Sequence, residues 1–360
     1  MQTGRRQFLG GLLAVSLAPK PSWADVGSPA YLAAAALRDG SFALCGIGAA
    51  LDVLFQIPLP DRGHAAAAHP TRPEAVAFAR RPGTFAVIID CLTGVAKAEL
   101  RAPAGRHFYG HGAFSADGDW LFTTENDYEA GQGRIGVWDV RAGYTRSAEY
   151  SSGGVGPHDI KRVPGTDTLV IANGGIDTHP DSGRVKLNIP TMQPNLAYFE
   201  AGEVVEIAEL DRDLHKNSIR HLAVSSTGQV AFGMQWQGGD ESVGLVGTHL
   251  RGQAARVLDA APDQLRAMQG YVGSIAFAAD DRRIAVTSPR GGIVQTYDAD
   301  TAALIDVQSV EDASGIVRGG AGFIVSSGLG QIRRLGDAGS PAAVPSRYAW
   351  DNHLVGIGAA

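Results

Sequence analysis

Gly110-His111-Gly-Ala-Phe-Ser-Ala-Asp-Gly118, with Trp120-Leu-Phe-Thr-Thr124 and Ile135-Gly-Val-Trp-Asp139 after it, is the stretch that decides the fold. It reads as a short apolar strand opened by Gly-His, a polar turn, a second strand, a loop, and a third strand ending in Asp and another turn. The same order returns along the chain. Gly63-His64 opens one copy, Pro157-His158 another, then Arg220-His221 and Gly273-Ser274. Aligned positions fall at 64, 111, 158, 221, 274, 314 and 353, so the steps are 47, 47, 63, 53, 40 and 39 residues. Four short strands repeated at that spacing are the signature of propeller blades. The long step from 158 to 221 contains the insert 177–195, so one loop of that blade is elaborated.

Six units are complete, and the ends supply a seventh. Residues 348–356 read as one lone first strand, whereas residues 31–37, 42–47 and 53–59 read as three strands lacking a first. Pairing the two ends in one sheet removes the open edges that β proteins must otherwise protect. The expectation is an all-β fold, a seven-bladed β-propeller closed by N-terminal strands and a C-terminal strand. Residues 25–360 form a single domain, since no linker divides them.

The rest of the chain agrees with that class. It has 360 residues, 47 of them glycine, with 19% charged and 7% aromatic residues and a net charge of −6. Arg5, Arg6 and Lys20 lie in an N-terminal stretch without acids, so the remainder carries about −6 − 3 = −9. Clustered Lys and Arg are what a sequence-independent grip on nucleic acid requires, so that partner is excluded. The beginning, Arg5-Arg6-Gln-Phe8-Leu9 with an apolar run to Ala18 and Ser22-Trp-Ala24, has the form of a twin-arginine signal peptide (1–24). Periplasmic location follows as the expectation, without stable membrane insertion once the segment is cut after Ala24. Cys45 and Cys91 are expected to be buried free thiols. No Cys-x-x-Cys-His occurs, which excludes covalent c-type haem.

First strands line a propeller's channel, so the aligned positions would set His64, His111, His158, His221 and His353 around one mouth. Imidazoles from several blades can hold zinc, copper, iron or nickel, with carboxylates completing the site. The expected ligands are His111, His158, His221 and His353, with Glu125 and Asp127 as neighbouring anions. Arg80, Arg290, Asn173, His179, His64 and Asn352 are candidates for binding an organic ligand. Arg80, Arg184, Arg220 and Arg290 could grip a carboxylate or phosphate, or instead neutralise Glu125, Asp127 and Asp181. Other readings stay open. Each histidine could be structural, pinned to a buried Asp90, Asp139 or Asp298. The mouth could be the pocket of a lactonase- or oxidoreductase-like enzyme acting on an anionic small molecule, or the loops around it a non-catalytic docking scaffold for another protein. The cluster Asp177-Thr-His179-Pro-Asp181 is either a second metal loop or a turn that satisfies its own backbone. No nucleophile elbow, phosphate loop, dinucleotide fingerprint or zincin helix is present.

Longer motifs add a resemblance. Gly105-Arg-His-Phe-Tyr-Gly-His-Gly112, Thr124-Glu-Asn-Asp-Tyr-Glu-Ala-Gly131, Ala172-Asn-Gly-Gly-Ile-Asp-Thr-His-Pro-Asp181, Ser218-Ile-Arg-His221 and Trp350-Asp-Asn-His353 resemble a bacterial family classed only as a domain of unknown function. That resemblance implies twin-arginine export and a propeller. It also implies gene neighbours that include an imelysin-like iron-regulated protein and a haem-containing oxidoreductase as partners. A periplasmic part in iron acquisition, with iron or another transition metal as the bound ion, follows from it. It implies no reaction and no catalytic residues.

Overall fold

The computed structural model describes residues 20–80, 84–183, 185–336, 344–345 and 347–358. Most of the expected signal segment, together with Arg81 and Arg184, lies outside the described residues. Among those described, no helix is long and apolar enough to cross a membrane.

Seven four-stranded antiparallel sheets are present. Blades 1 to 6 occupy residues 63–100, 106–151, 157–209, 217–257, 274–309 and 313–345. The seventh takes its inner strand from the C-terminus (Ala349–Gly356), paired to Tyr31–Ala36, then Phe42–Ile47 and Val53–Leu59. This is the expected closure, and the N-terminal strand bounds match to within a residue. Outer strands such as Glu203–Glu209 alternate exposed and covered residues, as a sheet with one wet face should. Inner strands contact their neighbours in a complete ring.

The apolar residues fall into seven clusters, and each is the seam between two adjacent blades. Val246, Leu258, Ile275, Ile284 and Tyr297 join blades 4 and 5, for example. Each fully covered Val, Leu, Ile or Phe contributes about 1.5–3 kcal/mol through removal from water, so the ring is held by its seams. Cys45 lies in the seam between blades 6 and 7 and Cys91 in that between blades 7 and 1. Both are buried and unpaired. Burial pushes each thiol up to about 12, so neither is a thiolate. Trp23 also belongs to a seam, where its indole N–H donates to the His69 carbonyl at 2.9 Å. It is the second residue before the expected cut, on the leader side.

Two elaborations interrupt the repeat. The insert of blade 3 runs between the strands Leu169–Asn173 and Asn195–Glu200 and contains two single-turn helices. The other, a short helix Pro262–Ala267 before blade 5, has no counterpart in the repeat as read from sequence.

Candidate metal centre

Five of the seven inner strands carry the histidines, and in each the strand register breaks at that point. Residues 109–111 oppose one residue of the next strand, as do residues 351–353. His64 and Ala65 oppose one, and His158 and Arg220 are single insertions, the latter next to His221. Such bulges re-aim side chains that an even pleat would send alternately to the two faces. The Ser274 strand has no such break and contributes no imidazole. Gly110, at φ +99°, enters the His111 bulge; a Cβ there would meet the His64 ring at 2.7 Å.

All five imidazoles converge on the axis. Ring centroids lie 4.6 Å apart for His64–His353, 4.7 Å for His111–His353 and 5.0 Å for both His111–His158 and His158–His221. Donor nitrogens of His64, His111 and His158 lie within 4.8 Å of one another, and so do those of His111, His221 and His353. His64 Nε2 and His111 Nε2 are 3.3 Å apart.

The groups behind the rings fix which nitrogens face inward. His111 Nδ1 lies 3.1 Å from the buried Asp159 carboxylate, which also takes Lys161 Nζ at 3.2 Å and the Leu222 amide at 3.0 Å. Burial alone would raise Asp159, but Lys161 and His111 hold its carboxyl well below the ordinary range. His158 Nδ1 donates to the Arg220 carbonyl at 3.0 Å. Behind His64 Nδ1 stands Asp351, at 3.7 Å, itself bound by Arg62 and Arg80. Tautomers inferred from these partners place N–H on Nδ1 of His111 and His158 and a lone pair on their Nε2 atoms. Among the described residues His221 has no hydrogen-bond partner at either nitrogen, His64 none at Nδ1 and His353 none at Nε2. Burial pushes His111 down to about 4, and burial with neighbouring cations or imidazoles holds His158, His221 and His353 well below the usual value. These four imidazoles are therefore neutral at pH 7, the protonation state a metal needs.

Two cavities meet at the rings. On the face of the elaborated loops a vestibule of about 260 Å³ is lined by His64, His158 and His221 with Arg80, Lys186, Arg220 and Arg290. Tyr109, Thr178, Gln235, Tyr271 and Asn352 complete its wall. On the other side a chamber of about 380 Å³ is lined by small and apolar inner-strand residues, such as Ala67, Ala113 and Ile275, and by His111, His221 and His353.

The remaining expected residues are elsewhere. Glu125 and Asp127 do not join the histidines. They belong to the second strand of blade 2, Trp120–Asp127, and are buried among arginines. Glu125 takes both terminal nitrogens of Arg146 at 2.8 and 2.9 Å, and Asp127 pairs with Arg106 and Arg134. Gly136 leaves room for Glu125, since a Cβ there would meet its Oε1 at 2.0 Å. Glu125→Gln is therefore expected to cost about 3 kcal/mol in denaturant unfolding while leaving bound metal unchanged. Asn173 is buried and bonds Ser152 and Asn195, joining blade elements rather than facing a ligand. His179 accepts the Asp181 amide at the insert surface, a turn satisfying its own backbone. Asp90, Asp139 and Asp298 are not the histidines' partners: they cap turn amides on the opposite face. Asp159 and Asp351 hold that role across blade boundaries, and sequence reading missed both, although each lies within two residues of a histidine.

The comparisons bear on fold and family. No curated protein matches. Among solved structures, hydrazine synthase of Kuenenia stuttgartiensis superposes with a TM-score of 0.59 over 80% of this chain and 86% of that one. At 13% identity the likeness is one of fold. The description "Protein of unknown function (DUF1513)" matches residues 57–357, which span six blades and the inner strand of the seventh. The chain belongs to that family, DUF1513.

Proposed function

We propose that this propeller binds one transition-metal ion on its axis, with His64, His111, His158, His221 and His353 as the donor set and iron(II) as the first candidate. The observation that carries it is the pair of Nε2 atoms 3.3 Å apart. Asp159 takes the Nδ1–H of His111 and so aims its Nε2 lone pair at His64, whose own Nδ1 faces Asp351 at 3.7 Å. Two ring nitrogens so close share either a proton or a cation. Adjacent ligands on a tetrahedral ion at about 2.05 Å would sit about 3.3 Å apart, so the spacing fits. Asp159 behind His111 is the outer carboxylate that metal-bound imidazoles use to fix tautomer and orientation. A donor set made only of imidazoles suits divalent iron, nickel, copper or zinc better than calcium or magnesium.

The iron assignment rests on the family resemblance and the periplasmic setting on the twin-arginine pattern, and both belong to the same proposal. In that setting an imelysin-like protein or a haem-containing oxidoreductase would exchange the ion with it. Trp23 has its place in the seam, so a mature chain that keeps it would begin upstream of the expected cut.

Elemental analysis of protein exported by its own host, with mass measurement of its N-terminus, tests both parts. About one transition metal per chain is expected, lost in His111→Ala. Metal far below stoichiometric, with melting unchanged by chelator, would remove the reading.

A further inference from the structure

We infer that the vestibule over the imidazole cluster is a binding site for a compact polyanion, a small molecule carrying two or more carboxylate or phosphate groups, held by Arg220, Arg290 and Lys186. The inference does not need the metal.

Four blades contribute one cation each to the wall: Arg80, Lys186, Arg220 and Arg290. No Asp or Glu lines it among the described residues. The carboxylate behind it, Asp351, is taken by Arg80 and Arg62 at 2.8 Å each. Arg290 lies over the Tyr271 ring at 4.5 Å, and Lys186 reaches the Gln237 side chain. In a chain of net charge −6 this gathering is no background effect. It works against folding, because burial and the nearby Arg220 and Arg290 hold Lys186 below its ordinary value. Like charges brought together around a cavity by separate blades are an arrangement that a bound anion relieves.

Chemistry and size narrow the guest. Guanidinium groups present paired donors that match carboxylate and phosphate oxygens. Three cations in one small space favour a guest with several negative charges over acetate. A volume of about 260 Å³ lies below the range of drug-sized sites, so a compact metabolite fits. The Tyr109 and Thr178 hydroxyls and the Asn352 amide supply orienting groups.

Calorimetric titration of chelator-stripped full-length protein tests this, with citrate, pyrophosphate, inorganic phosphate and acetate as probes. Saturable one-site binding is expected for citrate or pyrophosphate, far weaker for the smaller anions. Which of the two binds more tightly identifies the group. Arg290→Gln with Lys186→Gln should weaken it about tenfold or more with melting preserved, while Arg38→Gln, which removes an exposed cation outside the vestibule, leaves it within about twofold. Binding of neither polyanion, or binding that survives the Arg290/Lys186 double substitution, would overturn the proposal. Because the protein is stripped, failure here leaves the metal assay standing, and the converse holds.

Discussion

Metal-free protein carrying His221→Leu is expected to be as stable as the parent or slightly more so, and to bind transition metal at least about 100-fold more weakly. The signs follow from what His221 touches. Its ring is buried, yet among the described residues neither nitrogen has a hydrogen-bond partner. Removing it forfeits no protein bond, whereas a buried polar group without a partner costs about 1–3 kcal/mol. Leucine fills a similar volume, so the metal-free variant should gain up to about 1 kcal/mol, or roughly 2 °C in melting temperature. With metal present the order reverses. An ion at a thousandfold excess over its Kd stabilises the parent by about 4 kcal/mol, and the variant gains almost none of this. Melting curves with and without iron(II) under anaerobic conditions read both effects. A structural histidine would behave oppositely: the metal-free variant would lose stability and added metal would change nothing. That result would sink the centre.

The repeat was legible because blade spacing, turn residues and apolar alternation are local, and the seventh blade followed from counting strands at the two ends. The five histidines were legible for the same reason, since each opens a repeat. What could not be read was how they meet. An even pleat in those strands would not have aimed all five inward. The bulges do so, and a bulge declares itself only through pairing with the next strand. The same limit hid Asp159. It follows His158 directly and would point to the opposite face in a regular strand, yet the insertion at His158 turns it toward His111. Glu125 and Asp127 failed as candidates for a different reason. Their run, Glu125-Asn-Asp-Tyr-Glu-Ala-Gly131, is polar enough to read as a loop, but its first three residues extend a strand. Arg106, Arg134 and Arg146, which bind them, lie up to 21 residues away in sequence and face them only across the sheet. The vestibule was half legible. Arg80, Arg220 and Arg290 were visible as loop arginines, while Lys186 lies in an insert with no repeat to align it.

Asp159 carries the second large effect, because one carboxylate serves three blades. It belongs to blade 3 and accepts from His111 of blade 2 and from the Leu222 amide of blade 4, with Lys161 of its own strand alongside. Asp159→Ala strands a buried amide, an imidazole and an ammonium at once. A loss of about 3–5 kcal/mol is expected in denaturant unfolding, as for other buried charges deprived of a partner. Stability alone would not separate scaffold from metal support, so Asp159→Asn is the informative variant. Asparagine keeps an acceptor for His111 and the shape of the side chain, but removes the negative charge behind the ring. A ligand imidazole backed by a neutral group donates less strongly, and metal affinity should fall about 10–100-fold. The electronic spectrum of bound cobalt(II) or copper(II) should shift as well. A purely structural Asp159 would leave that spectrum and the affinity of correctly folded Asp159→Asn at parental values, changing only the unfolding midpoint. Lys161→Met is the matching control. It removes the other charge on the same carboxylate without touching a ring, so it should lower stability while sparing the spectrum. If both variants shift the spectrum equally, the effect runs through packing of the blade and not through His111.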